Sequence, residues 1–192
     1  MSSLSTGCAG LGRGVRTEGG WDRSRRSLRE LRRADGRSMA KLVGAVVACE
    51  AAGGIGAFLS RQGLREWYPT LRKPSFTPPG SYFGPTWTLL YALMGASLWL
   101  AEERGENGAA KRSSRALFGA QLLLNVLWTY VFFDRRAPGW AFMEVVSLLA
   151  AIAATTVSFS KVSWTAALLL VPYLLWTGFA SVLNFCVWRL NR

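Results

Sequence analysis

Long apolar runs separated by short charged stretches fill the chain from residue 40 onward. They are Ala40–Ser60, Gly84–Ala101, Ala116–Phe133, Trp140–Phe159 and Trp164–Trp188. Each holds about 17 to 25 residues, and at 1.5 Å rise per residue a helix of that length crosses a hydrocarbon layer about 30 Å thick. Helices of a soluble bundle would each keep a charged face. The second, third and fifth runs have no charged residue inside them. A membrane β-barrel would need shorter segments of alternating polarity, which are absent. The pattern predicts an all-α polytopic protein, a bundle of five transmembrane helices over residues 39–192.

Several polar residues interrupt the runs: Glu50, Gln121, Asn125, Glu144, Thr155, Thr156 and Asn184. Hydrocarbon is a costly place for them, so they are expected to face neighbouring helices or a cavity. For Glu50 and Glu144 this leaves two readings, a transport relay or an ordinary helix-to-helix hydrogen bond. Gly53, Gly54, Gly56, Gly95 and Ala96 permit close helix approach. Pro172 removes one backbone hydrogen bond within the fifth run and predicts a bend there. Trp67, Tyr68, Trp87, Trp140, Trp164 and Trp188 fall at or near run ends, as an interfacial aromatic belt would. Trp99, Trp128 and Trp176 lie deeper by count.

The longest connection, Arg61–Phe83, contains Pro69, Pro74, Pro78 and Pro79 among aromatics and cannot be one continuous helix. It reads equally as a lid over one end of the bundle and as an interfacial connector. The stretch Ala101–Arg115 is charged, and Gly105, Asn107 and Gly108 mark it as a solvated turn. The remaining connections are short, so consecutive helices are antiparallel neighbours.

Charge changes this picture at the amino terminus. The chain of 192 residues carries a formal charge of +12, and residues 1–38 hold nine Arg against four acids. This basic extension has no apolar core for a secretory signal. It fits an organelle transit peptide, a short amphipathic helix on an anionic membrane, or a disordered tail. Lys and Arg number fifteen on the amino-terminal side of five spans and eight on the other, which predicts a cytoplasmic amino terminus. Without residues 1–38 the balance becomes six against eight. Nucleic acid is not a predicted partner, because the basic run lacks an accompanying binding domain. The chain has no His, and Cys8, Cys49 and Cys186 share no ligand spacing. His-based triads and the common zinc motifs are therefore excluded, and no metal site is expected.

The residues KPSFTPPGSYFGPTW (73–87), FGAQLLLNVLWTYVFF (118–133) and LLVPYLLWTGFASVLNFCVWRLN (169–191) resemble the TspO/MBR family of tryptophan-rich sensory proteins. The resemblance covers roughly residues 40–192. The last segment is similar to animal members, and the long extension is more like plant and algal ones. The resemblance implies a five-helix bundle, often a homodimer, with a pocket opening under the first loop. It implies binding of tetrapyrroles (protoporphyrin IX or haem) and of sterols or other lipids, with no required cofactor. Transport, scavenging and stress signalling are the roles it carries. Some bacterial members promote light-dependent breakdown of protoporphyrin IX, which makes Trp87 and Trp176 the candidate participants in such a reaction here. A lipid-binding membrane adaptor is the third reading.

Carried over position by position, the resemblance makes Trp87, Tyr91, Asn125, Trp128 and Trp176 candidate ligand-binding residues, together with Phe76, Pro78 and Pro79 of the first loop. Arg72 and Lys73 are candidates for the propionates of the macrocycle. Val182, Leu183, Phe185 and Arg189 are candidate sterol contacts. Two departures stand out. Ser81, followed by Tyr82, occupies the place of a family aromatic, and Phe185 stands where the animal sterol motif has Tyr. The resemblance and the basic extension together imply a eukaryotic organelle membrane, either the mitochondrial outer membrane or the endoplasmic reticulum and Golgi.

Overall fold

A computed structural model describes residues 18–105 and 108–192, with side chains from residue 35 onward. Five long helices account for most of it: α1 (Glu18–Gln62), α2 (Phe83–Arg104), α3 (Ala109–Thr129), α4 (Pro138–Ser160) and α5 (Trp164–Leu190). No strand occurs among the described residues. The expectations for residues 1–17 lie outside them. Residues 38–192 form one compact unit.

Four helical stretches are long and apolar enough to cross a membrane: 35–70, 109–134, 138–160 and 164–190. The expected count was five, and α2 falls short of it. After Phe83 it runs through Gly84, Pro85 and Thr86, carries Trp87, Tyr91, Ser97 and Trp99, and closes on Glu102, Glu103 and Arg104. Apolar side chains nevertheless face outward on all five helices, among them Val43 and Phe58 on α1, Leu89 on α2, Leu123 on α3, Val157 on α4 and Leu175 on α5. Exposed apolar surface that extensive marks contact with lipid. The chain is a multi-pass integral membrane protein.

Helix ends differ from the apolar runs in more than one place, and α1 begins at Glu18 rather than near Ala40. The stretch Ala101–Arg115, expected to be a loop, is mostly helical: α2 continues to Arg104 and α3 begins at Ala109. Ion pairs explain the extension. The Glu102 carboxylate takes Arg115 Nε at 2.6 Å and also Arg115 Nη2, while Lys111 Nζ donates to the Glu102 and Gly105 carbonyls at 2.7 and 3.2 Å. These contacts cap the last turn of α2 and tie it to the first turns of α3. At Pro172, where a bend is expected, α5 continues as one unbroken helix.

The helices close into a ring. α2 packs on α5, α5 on α4, and α4 on α3. α1 completes the ring by touching α2 and α3. A Cβ on Gly95 would stand 2.5 Å from the Val46 Cα, and one on Gly53 would stand 2.3 Å from the Tyr91 ring. Only glycine lets α1 lie so close to α2. Gly56 faces Thr129 of α3 at ordinary contact distance, whereas Gly54 faces open space.

Polar groups link the helices in layers. Ser97 Oγ donates to the Ala166 carbonyl at 2.7 Å, joining α2 to α5, and Ser114 and Ser158 hydroxyls join α3 to α4 at 2.7 Å. Near the middle, the Tyr91 hydroxyl donates to Asn125 Oδ1, and Asn125 Nδ2 donates to the Tyr173 hydroxyl at 2.9 Å. This buried chain ties α2, α3 and α5 together. Gln121, Asn125, Thr155 and Asn184 all face inward as expected. The Gln121 amide and the Glu144 carboxylate are buried without a protein hydrogen-bond partner among the described residues.

Candidate functional site

The end of the bundle beneath the first connection is lined with aromatics. After α1 the chain makes a wide π-helical turn (Gly63–Trp67) and a tight 3-10 turn (Tyr68–Thr70), and then runs irregularly to a second 3-10 turn (Gly80–Tyr82) that leads into α2. Pro69 in the tight turn and Pro74 and Pro78–Pro79 beyond it prevent helix from resuming. Tyr68 is turned onto Phe132 and Phe133, with ring centroids 6.4 and 5.6 Å apart, and Trp67 meets Phe132 edge-on at 5.7 Å. The connection therefore covers this end, which favours the lid over the plain connector.

Asn191 fastens that cover to the last residues of α5. The Arg72 amide donates to Asn191 Oδ1 at 2.9 Å, and Asn191 Nδ2 donates back to the Arg72 carbonyl at 2.8 Å. The same Nδ2 also donates to the Val187 carbonyl at 2.7 Å. Removing this clasp should loosen the lid without touching the aromatics. At about 1 kcal/mol for each of the two bonds to Arg72, Asn191→Ala is expected to speed amide exchange at Leu71–Lys73 by about tenfold or more. Unchanged exchange there would show that other contacts hold the lid.

Under the lid lies a cleft lined by Tyr68, Phe83, Trp87, Trp128, Phe132, Phe133, Trp176, Ala180, Leu183, Asn184 and Val187. Three tryptophans converge on it from three helices: Trp87 from α2, Trp128 from α3 and Trp176 from α5. Trp87 packs against Tyr91 and Tyr173 at 5.6 and 6.3 Å, and Trp176 against Phe83 and Phe179 at 5.9 and 5.7 Å. Asn184 positions the third. Trp128 Nε1 donates to Asn184 Oδ1 at 3.0 Å, and Asn184 Nδ2 donates to the Pro138 carbonyl at 2.8 Å. A second π turn, Tyr130–Asp134, ends α3. Its wider coil lets the adjacent Phe132 and Phe133 both reach the cleft. Free space in the cleft is about 30 Å³, enough for one or two waters. A ligand larger than a few waters fits only if lining side chains move.

The structure brings some of the expected residues together and separates others. Trp87, Trp128, Trp176 and Leu183 line the cleft. Tyr91 and Asn125 lie behind Trp87 in the buried hydrogen-bond chain. Phe76 sits a layer further out, 6.2 Å from Phe179, and neither Pro78 nor Pro79 borders the cleft. Lys73 is folded back on its own loop, donating to the Leu71 carbonyl at 3.1 Å with its ammonium 4.7 Å from the Tyr68 ring centroid. Arg72 is exposed on the lid. Val182, Phe185 and Arg189 share the outward face of α5, while Leu183 points inward.

The aromatic belt also divides. Trp140 and Trp164 are exposed, as an interface requires, but Trp87 faces inward and Trp188 is stacked on Phe142. Trp99, counted among the deep tryptophans, lies at the other end of the bundle, where its Nε1 donates to Ser38 Oγ at 3.2 Å. The Ser81 departure resolves locally. Ser81 and Tyr82 are both exposed, and the next residue, Phe83, supplies an aromatic wall opposite Trp176. Sequence reasoning missed Phe83, Tyr68, Phe132, Phe133 and Asn191. For the phenylalanines the only signal was their aromatic neighbourhood.

Comparison with known proteins shows the family. Residues 45–189 match the sequence model of the TspO/MBR family. A protein of Archaeoglobus fulgidus named tryptophan-rich protein TspO is 42% identical over 151 residues, 79% of this chain and 97% of the relative. The human translocator protein is 43% identical over 136 residues, 70% of this chain and 80% of the relative. Protein CrtK of Rhodobacter capsulatus is 37% identical over 145 residues, 76% and 89% of the two chains. These relatives come from an archaeon, a mammal and a bacterium, so their similarity selects no particular organelle.

Proposed function

The chain belongs to the TspO/MBR family, and from that premise we propose that it binds a tetrapyrrole in the aromatic cleft, as a five-span bundle with α2 as the fifth span. The observation that carries this reading is the convergence of Trp87, Trp128 and Trp176 from three helices beneath a clasped lid. A flat apolar macrocycle suits walls of that kind, since aromatic faces offer large contact area at little conformational cost. Arg72, exposed on the lid, offers a cation to a propionate. The chain has no His and so offers no imidazole to haem iron. Metal-free protoporphyrin IX is the ligand to test first. The cleft is narrow at rest, and binding proceeds by lid opening, which makes the protein a carrier or sensor that takes up its ligand in a gated step. The basic extension ahead of the bundle supports a eukaryotic organelle membrane as its location.

The test is a dark titration of the purified protein with protoporphyrin IX, following tryptophan emission and the Soret band. Saturable one-to-one quenching at micromolar affinity or tighter is expected. A linear, unsaturable response would overturn the assignment.

A second reading rests on α5. Val182, Phe185 and Arg189 recur at helical spacing on its outward face, an apolar strip ending in a cation. A sterol could lie along it independently of the cleft. Phe185→Ala is expected to reduce labelling of α5 by a photoreactive sterol severalfold while leaving porphyrin quenching intact. Equal labelling of the variant would remove this site.

A further inference from the structure

At the opposite end of the bundle from the aromatic cleft lies a groove of about 440 Å³, lined by Lys41, Ala45, Leu98, Trp99, Glu102, Lys111 and Arg115. Three cations and one carboxylate border it. Lys41 pairs with Glu103 at 2.7 Å, and Lys111 and Arg115 converge on Glu102. Beyond the apolar stretch that ends at Ala101, the hydrogen bond from Arg115 holds the Glu102 carboxyl below the usual carboxylate range, so it stays ionised at neutral pH. Counting Glu102 and Glu103 against the three cations still leaves one positive charge.

The donors are unequally committed. Lys111 is 14% exposed and is occupied by the Glu102 and Gly105 carbonyls. It acts as a clamp between α2 and α3. Lys41 is 66% exposed and makes one hydrogen bond, to Glu103. Arg115 is 57% exposed; its Nε and Nη2 hold Glu102, and its Nη1 has no partner among the described residues. Lys41 on α1 and Arg115 on α3 thus offer spare donors from opposite rims.

The groove is also graded along the helix axes. Ala45 lies four residues beyond Lys41 on α1, and Leu98 lies four residues before Glu102 on α2. Each is about one turn, or roughly 6 Å, deeper into the apolar span than its charged neighbour. Trp99 stands between the two levels. A charged rim over an apolar floor fits an amphiphile, and basic pockets between membrane helices are known to hold anionic headgroups.

We propose that this groove binds the phosphate of an anionic glycerophospholipid, held by Lys41 and Arg115, with an acyl chain running along Ala45 and Leu98. A small soluble anion would make no use of that floor. The site is separate from the porphyrin reading and stands or falls without it.

Native mass spectrometry of the full chain in detergent tests it, using phosphatidylglycerol and phosphatidylcholine of identical chains. Phosphatidylglycerol is expected to bind preferentially. Lys41→Gln combined with Arg115→Gln should lower its occupancy about fivefold, to the phosphatidylcholine level, while Arg135→Gln with Arg136→Gln should not change it. Glu102→Gln provides a reading of opposite sign: it removes the only negative lining group and should raise occupancy, whereas a merely structural role would lower it. Equal binding of the two lipids, preference surviving the Lys41/Arg115 change, or loss of occupancy in Glu102→Gln would each overturn the proposal. Displacement of phosphatidylglycerol by millimolar inorganic phosphate would show a free-anion site and overturn the lipid as occupant.

Discussion

Replacing Trp87 and Trp176 together by Phe is expected to weaken protoporphyrin IX binding by roughly 30- to 150-fold. Each indole lost to a smaller ring removes about 1 to 1.5 kcal/mol of apolar burial and stacking. Two such losses around one ligand give about 2 to 3 kcal/mol, which the affinity scale converts to that range. The two residues come from different helices, α2 and α5, and face the same cleft. Their effects should add when each wall is measured alone. Trp140→Phe is the matched control: the same chemical change at a side chain that is 76% exposed and does not line the cleft should leave affinity unchanged. Quenching titrations of the three proteins decide the matter, with the Soret shift as a readout independent of tryptophan number. An affinity within twofold of the parent in the double variant would mean the macrocycle, if bound, sits elsewhere.

Gly95→Ala should be among the most disruptive single-methyl additions to this protein. The new Cβ would stand 2.5 Å from the Val46 Cα and 2.7 Å from its amide nitrogen. Both are backbone atoms, so no change of rotamer relieves the clash, and α1 must move away from α2. Overpacking of this kind costs about 1 to 3 kcal/mol. In a thermal-shift assay in detergent the variant should melt several degrees below the parent. Gly54→Ala makes a sharp contrast. Its Cβ meets nothing within 4 Å, and alanine is the better helix former by about 0.8 to 1 kcal/mol, so its melting point should hold or rise. If both variants melted alike, α1 would not pack on α2 through Gly95.

The two expectations differ in how much of their basis could be read before the fold was known. Trp87 and Trp176 were legible because a family motif surrounds each of them. Gly95 was legible only as one small residue among several. Gly53, Gly54, Gly56 and Gly95 look alike along the chain, yet only Gly53 and Gly95 sit where a neighbour leaves no room for a Cβ. Rotating α1 by one residue, about 100°, would exchange Gly53 for Gly54 at the contact. Composition says a helix can approach closely, and the rotational setting of two packed helices says where.

The lid shows the same limit. Its prolines forbid continuous helix, and that much follows from the chain. Its fastening does not, because Arg72 and Asn191 are 119 residues apart and neither type is unusual in its local context. The aromatic expected at Ser81 is likewise supplied by Phe83, two residues on. The short turn Gly80–Tyr82 leads directly into α2 and leaves Ser81 outside while Phe83 meets Trp176.

What the sequence by itself determined is the class of molecule: helical, embedded in lipid, with Asn125 and Asn184 turned inward. Those features follow from local physics, the length of apolar runs against the bilayer and the cost of polar groups in hydrocarbon. Tertiary structure alone decided which aromatics share a cleft, how little space they leave, and that Lys41, Trp99 and Arg115 border a groove at the far end. Such groupings depend on the register and rotation of antiparallel helices, and these are set by many weak contacts between residues far apart in the chain. A one-dimensional pattern reports each helix's own faces and carries no direct record of which face meets which.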